Sequence, residues 1–407
     1  MNPEIPKSEL SSDAPQEIDS YHKSRLVDWL KYFLKLGTLG FGGPIALIGY
    51  MQEFILEKNR WVSLREFYQG IAFSQLTPGT LAAKFAMYLA YIRFGIFGAT
   101  AVGLAFILPS FLMIIPISIL YIYFGDLSEV KNIFYCVGAV VIAIVLKSAI
   151  KLVHMSVQRD RLLWGLFFVN VVVALWNSGF SIWMFIISGT LVTLIKYPPR
   201  FTNFKLFSVA LVAAPVFTGF PNLMQGAQGP PTLTILTKIF LYFAWAGSFI
   251  FGSSLAIVPF MHNSVVDQYH WLTDKQFLDA VTISIITPGP AVITVAFIGY
   301  LVGGLPGALV SAVGIFLPSY LFVVLLTPYY RRYAHQKFVH SFISGTTAAA
   351  AGAIVGAAIV LAKGSINNYL GYALFLSSFL IFIFFKKVPD LLVLGVAALI
   401  GWLLTEL

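Results

Sequence analysis

A chain of 407 residues in which 58% are hydrophobic and only 11% charged has too few polar side chains to coat a water-soluble domain. Its net charge of +9 would suit nucleic acid, but no basic run interleaved with aromatics lies in a polar stretch, so that partner is excluded. The single cysteine, Cys136, excludes an internal disulfide, and the six histidines show no zinc-ligand spacing, so no metal or cofactor is expected.

Read in chain order, residues 1–25 form a polar tail. They lack the apolar stretch of a cleaved signal peptide and are expected to stay disordered in the cytosol. Apolar segments follow at 32–52, 66–92, 96–124, 131–151, 162–176, 181–196, 204–220, 239–261, 277–301, 306–327, 340–362, 369–385 and 388–404. The fold class is therefore an all-α polytopic membrane protein with about 13 transmembrane segments. A transmembrane barrel would show alternation instead of continuous apolar runs. The first two segments of each half read either as full spans or as re-entrant hairpins. The domains are a first repeat over 26–200, a connecting segment with an extra span over 201–236, and a second repeat over 237–407.

Loop charge orients the chain. With the N-terminus inside, the inside loops hold Arg93, then Lys147, Lys151, Arg159 and Arg161, then Lys196, Arg200 and Lys205, then Arg331, Arg332 and Lys337, then Lys386 and Lys387. Residues 177–180, 221–237 and 302–305 carry no charge, as suits the outside. Loops 53–65 and 262–276 are mixed in sign. This reading puts the C-terminus outside, the Trp61 loop outside and the Trp271 loop inside, so the second repeat is inverted relative to the first. Inversion depends on 204–220 being a true span.

One motif set occurs twice, offset by 210 residues and later by 209. Phe41-Gly42-Gly43-Pro44, Trp61, Thr77-Pro78-Gly79 and Leu108-Pro109-Ser110 match Phe251-Gly252-Ser253-Ser254, Trp271, Thr287-Pro288-Gly289-Pro290 and Leu317-Pro318-Ser319. Proline removes a backbone donor and glycine lets the chain unwind, so these segments are expected to be broken helices. A broken helix presents free N–H groups and partial positive charge, which suit an anion; the alternative is a mere kink or close helix packing. On the first reading, Gly42, Gly43, Pro44, Ser253 and Ser254 allow backbone approach. Thr77, Thr80 and Thr287 offer hydroxyls beside breaks made by Pro78, Gly79, Pro288, Gly289 and Pro290. The alternative for each threonine is a bond to the carbonyl one turn back. Lys84 lies about 13 Å inside the cytoplasmic end and either binds the anion or snorkels out. Asp279 is either interfacial or a proton relay. Pro109 and Pro318 read as matched kinks that can hinge.

These residues resemble the chromate ion transporter family, in its long two-repeat form, over about 30–405. The resemblance rests on Phe41 to Pro44, Trp61, Gln75, Pro78-Gly79 and Leu108-Pro109 in the first half. In the second it rests on Phe251-Gly252-Ser253, Trp271, Thr287 to Pro290, Phe297-Ile298-Gly299-Tyr300 and Phe316 to Ser319. It adds Gln75 to the expected site. The sequence departs from the family pattern at Leu47, where a histidine is expected, and at Thr80 and Lys84. The family implies export of chromate across the cytoplasmic (inner) membrane, with resistance as the outcome and no enzymatic step. Sulfate or another tetrahedral oxyanion stays open as substrate, an anion channel as mechanism, and a homodimer as assembly.

Overall fold

A computed structural model describes residues 24–404 except 42, 158–159, 177–180, 197–232, 251–256, 334–336 and 386–387. The tail at 1–22 and the extra span at 204–220 lie outside the described residues, as do Gly42, Ser253 and Ser254 of the expected site.

All the described regular structure is helical. The first half contains α1 (Leu26–Leu39), α2 (Gly43–Met51) with a π-helical extension (Gln52–Lys58), α3 (Leu64–Leu76), α4 (Leu81–Phe124), α5 (Ser128–Ser156), α6 (Arg161–Trp176) and α7 (Ser181–Lys196). The second contains α8 (Leu233–Gly247), α9 (Val258–His262) with its own π-helical extension (Asn263–Gln268), α10 (Asp274–Ile286), a 3₁₀ turn (Ala291–Ile293), α11 (Thr294–Tyr333), α12 (Lys337–Ser365), α13 (Tyr369–Phe384) and α14 (Asp390–Leu403). Leu81–Phe124, Ser128–His154, Ala291–Tyr330 and Ser341–Ser365 are each long and apolar enough to cross a bilayer.

The repeat extends to local backbone detail. Arg60 and His270, 210 apart, are the two non-glycine residues with positive φ among those described, at 48° and 50°. Ser63–Glu66 and Thr273–Gln276 form matching capping boxes that start α3 and α10. Gly95 and Gly304, 209 apart, break α4 and α11 at φ 66° and 59°. Gly79 and Gly289 still match at 210, so the lost residue falls between those two glycine pairs.

Of the two sequence alternatives for the leading segments, the structure takes the hairpin. Segment 32–52 is α1 and α2 folded back on each other. Tyr32 stacks on Phe54 at 4.1 Å and donates to the Tyr50 carbonyl at 2.8 Å. Segment 66–92 is α3 and the 81–94 arm of α4, also antiparallel. Phe67 meets Phe85 at 4.9 Å near the open end, where Arg93 pairs with Glu66 at 2.6 Å. Gly70 lets the two arms close, since a Cβ there would sit 2.8 Å from both Phe85 and Tyr88. The second half repeats the break at Thr287–Pro290. The Trp61 loop is corrected: Trp61 stacks on Trp29 at 5.3 Å, so it returns to the end where α1 begins.

The 96–124 and 305–333 arms run antiparallel. Thr100, near the start of one, meets Tyr320 of the other at 2.8 Å. Tyr330 packs edge-on against Phe73 at 5.0 Å, and Tyr121 against Phe297 at 5.2 Å. The hairpins of the two halves thus open toward opposite ends of the bundle.

The outer helices are exchanged between halves. α12 lies on α6 and α7 through small residues: a Cβ on Gly345 would meet the Ser188 carbonyl at 2.5 Å, and one on Gly352 the Phe167 carbonyl at 2.3 Å. In hydrocarbon, where apolar burial drives little, such close backbone packing holds helices together. α5 lies on α13 and α14, with Tyr135 donating to Asn368 at 2.6 Å and Lys147 paired with Asp390 at 2.6 Å. Cys136, on α5, is buried. Outside the spans, a hydrogen bond from Lys196 holds the Asp160 carboxyl below the ordinary aspartate range.

Asp279 is not interfacial to water. It is 3% exposed, and Tyr121 of the other half donates to it at 2.7 Å. Tyr121→Phe leaves this buried carboxylate without that donor and is expected to lower stability by about 1–3 kcal/mol. Adding Asp279→Asn in the same chain should recover part of the loss. Thermal unfolding of the single and double variants in detergent measures the coupling; strict additivity would show that the pair does not interact.

Candidate functional site

Described residues of all four hairpins approach one place, Ile250 standing for the first hairpin of the second half. The Gly79 N–H donates to the Ile250 carbonyl at 2.8 Å, and the Gly289 N–H donates to the Gly40 carbonyl at 2.7 Å. Each bond joins the second hairpin of one half to the first hairpin of the other. Both glycines have positive φ, 113° and 97°. Both also lie against the opposite long arm: a Cβ on Gly79 would stand 2.3 Å from Ser319 Oγ, and one on Gly289 would stand 2.0 Å from Ser110 Oγ. No other residue combines that backbone with that clearance. The Leu-Pro-Ser motifs thus cradle the partner half's tip, a role their sequence did not disclose beyond a kink.

The crossed contacts differ in one respect. The Thr80 N–H donates to Ser319 Oγ at 3.0 Å. Its counterpart Pro290 has no N–H, and the Ser110 hydroxyl donates instead to the Gly37 carbonyl at 3.2 Å.

Three helix N-termini surround a small closed pocket at these tips. Its lining is Pro44 and Leu47 of α2, Thr80 to Ala83 at the start of α4, and Pro290 to Val292 at the 3₁₀ turn. Among the described residues no carboxylate lines it. The first backbone bond of α4 runs from the Lys84 N–H to the Thr80 carbonyl, and the Thr80 side chain makes no cap bond. The N–H groups of Leu81, Ala82 and Ala83 therefore point out of the helix end, where partial positive charge collects. The pocket measures about 10 Å³, which is the threshold for one water. The tips are closed on each other in this conformation.

The expected site residues divide around this centre. Pro44, Thr80 and Pro290 line the pocket, and Leu47 joins them. Gly43 opens α2 at φ 75° with open space where a Cβ would go. Gly79 and Gly289 make the crossed bonds, with Pro78 and Pro288 next to them at the breaks. The Thr77 and Thr287 hydroxyls donate to the carbonyls of Phe73 and Ile283, at 2.9 and 2.7 Å. Their hydrogens are thus committed one turn back, the local alternative weighed from sequence. Thr80 keeps its hydroxyl at the pocket, 3.5 Å from Ser319 Oγ. Gln75 is exposed, on the far side of α3 from the packed tip. Lys84 is 1% exposed and does not snorkel. Its ammonium donates to the carbonyls of Thr77 and, at 2.7 Å, Ser74. It therefore closes the C-terminal end of α3, where unpaired carbonyls gather negative potential.

Comparison with known proteins agrees with this arrangement of two halves. The sequence profile described as "Chromate transporter" matches residues 27–194 and again 237–402. The chain is 45% identical to the chromate transport protein of Cupriavidus metallidurans over 98% of each chain. It is 41% identical to a probable chromate transport protein of Synechococcus elongatus, over 91% of this chain and 93% of the relative. It is 30% identical to the chromate transport protein of Pseudomonas aeruginosa, over 91% of this chain and 90% of that one. No solved structure matches the chain.

The tip glycines separate packing from backbone strain. Gly79→Ala and Gly289→Ala are each expected to disrupt the crossed contact and lower the melting temperature sharply, because strain and overlap combine. Gly43→Ala meets no neighbour and should cost only the left-handed backbone penalty, about 1–2 kcal/mol. Melting curves of the three variants test this; equal losses would mean that the crossed contact is not what the two glycines serve. The two matched halves, the membrane-spanning helices and the relatives lead to one assignment: this chain is a multi-pass membrane protein of the chromate transporter family, which are transporters and not enzymes.

Proposed function

We propose that the protein exports chromate across the cytoplasmic membrane by alternating access around the tip pocket. The observation that carries this is the convergence of three helix N-termini on one carboxylate-free pocket at the contact between two antiparallel halves. Such a centre favours an oxyanion on either side of the membrane. The pocket is too small for a five-atom oxyanion as it stands, so loading requires the tips to part.

In this reading the two halves are inverted-topology repeats. Its full crossings are 96–124, α5, α6, α7, 305–333, α12, α13 and α14, together with the span that the sequence leads one to expect at 204–220, and the hairpins enter from either face. An odd number of crossings keeps the N-terminus inside and the C-terminus outside. In this reading the mixed loop at 53–65 falls at the inside face. Lys58, Arg60, Arg65 and Arg93 now join Arg25 at the inside face, as the positive-inside rule favours. An inside-negative potential drives a dianion outward by about 4.6 kcal/mol per 100 mV, twice the value for one charge. Thr80 supplies a hydroxyl to the anion. Lys84, next to pocket-lining Ala83, supplies positive charge in a low-dielectric setting. Sulfate competes because the site reads charge and tetrahedral shape.

The test is radiolabelled chromate flux in inverted membrane vesicles, with and without an imposed potential and with excess sulfate. Potential-driven accumulation is expected, and sulfate should reduce it. Movement of sulfate without chromate would keep the fold and discard the substrate. Flux without saturation or countertransport would make the protein a channel. Lys84→Gln should weaken apparent chromate affinity; unchanged affinity and flux would remove Lys84 from the site.

A further inference from the structure

A second cavity lies between the two arms of the first hairpin. It measures about 250 Å³ and is lined by Tyr32, Lys35, Gly40, Tyr50, Glu53 and Lys58, among others. Lys35 stands on α1 and Lys58 on the π-helical extension of α2, so the ammonium groups come from opposite walls. Neither forms an ion pair among the described residues. The one lining carboxylate, Glu53, leaves the cleft positive by one charge. The bond from the Tyr32 hydroxyl to the Tyr50 carbonyl, at 2.8 Å, spans the walls and sets their separation. Three charged side chains would be costly in hydrocarbon, so the cleft is wet. Its volume corresponds to several waters at about 30 Å³ each, enough for a tetrahedral oxyanion that keeps part of its hydration.

Leu47 links the inner end of this cleft to the tip pocket. Gly40 lines the cleft, and a Cβ built on it would meet Leu47 Cδ2 at 2.6 Å. Leu47 is 1% exposed and lines the tip pocket on its other side. Leu47 therefore stands between Gly40 of the wet, positive cleft and the pocket where the helix N-termini meet. The same Gly40 offers its carbonyl to Gly289, so the floor of the cleft moves with the crossed tips.

Resting on the proposed transport of an oxyanion, we infer that this cleft is an access site that captures the anion before it reaches the tips, and that Leu47 is the gate between the two. Lys35 and Lys58 act there by attracting a dianion into a narrow, low-dielectric-walled cleft, which raises its local concentration.

The experiment is radiolabelled chromate uptake by the purified full chain in proteoliposomes over a range of ionic strength. The K35Q/K58Q double variant changes two exposed side chains and should fold. Its KM for chromate should rise about 10-fold at low salt while maximal flux is retained, and the steep salt dependence of the parent KM should flatten. Leu47→Ala, or Leu47→Val where the alanine variant does not fold, should let chromate leak in the absence of a potential. An unchanged KM and salt slope in the double variant, with the parent transporting, overturns the access site and leaves the proposed function standing. An unchanged leak in a folded Leu47 variant overturns the gate. A parent that carries no chromate removes the proposed function and this inference with it.

Discussion

Two backbone hydrogen bonds between the halves, Gly79 to Ile250 and Gly289 to Gly40, fix where the rest of the molecule sits. Each half contributes hairpins whose tips end in broken helices, and a broken helix at membrane depth leaves donors and acceptors without water. The chain meets this demand partly within each half, through Lys84 and the threonine hydroxyls, and partly across the pseudo-symmetric interface, through the two glycine N–H groups. The requirement that only glycine can meet, a positive φ beside an opposing serine, follows from bringing two backbones into direct contact at that point.

The exchange of outer helices follows the same logic. α12 rests on α6 and α7, and α5 on α13 and α14, so each half is held by the other at its periphery as well as at its tips. The seams are built differently from the core of a soluble domain. Glycines on α12 accept the α6 and α7 backbones at separations that a methyl group would block. Polar pairs such as Tyr121 with Asp279 and Tyr135 with Asn368 mark where the seams carry directional contacts. A rigid periphery around tips joined by a few hydrogen bonds concentrates any rearrangement at the centre.

Most of the architecture was legible because its signals are doubled. Thr77-Pro78-Gly79 and Thr287 to Pro290 each announce a helix break, and their 210-residue offset announces the repeat. Net loop charge could not decide between spans and hairpins, because replacing two crossings by none leaves the parity unchanged. The stacking of Trp61 on Trp29 likewise depends on a contact that loop charge does not record. The decisive facts were long-range pairs such as Trp29 with Trp61 and Glu66 with Arg93, which no local pattern contains. At the site, the prolines and glycines of the breaks were legible, and Thr80 and Pro290 do line the pocket. The partner of the Lys84 ammonium was not, since a buried lysine reads the same whether it faces an anion or a helix C-terminus. Ser110 and Ser319 carry no local signal beyond the kink before them, because their contacts lie in the other half.

The departure from symmetry at the tips has a definite energetic size. Thr80 gives its N–H to Ser319, whereas Pro290 can give nothing to Ser110, which turns to Gly37. The two closed contacts thus differ by about one hydrogen bond between the halves, roughly 0.5–1.5 kcal/mol. A perfectly symmetric pair would open with equal ease toward either face. A difference several times larger would leave one face almost never open, since a bias of about 5.5 kcal/mol corresponds to moving a 1:99 population to 99:1. A bias of one hydrogen bond lies between these limits. It sets a preferred resting face yet stays small enough for a bound dianion, or a membrane potential acting on it, to reverse. The proline that precedes the 3₁₀ turn of the second half thereby also sets the balance between the halves, through the one donor it lacks.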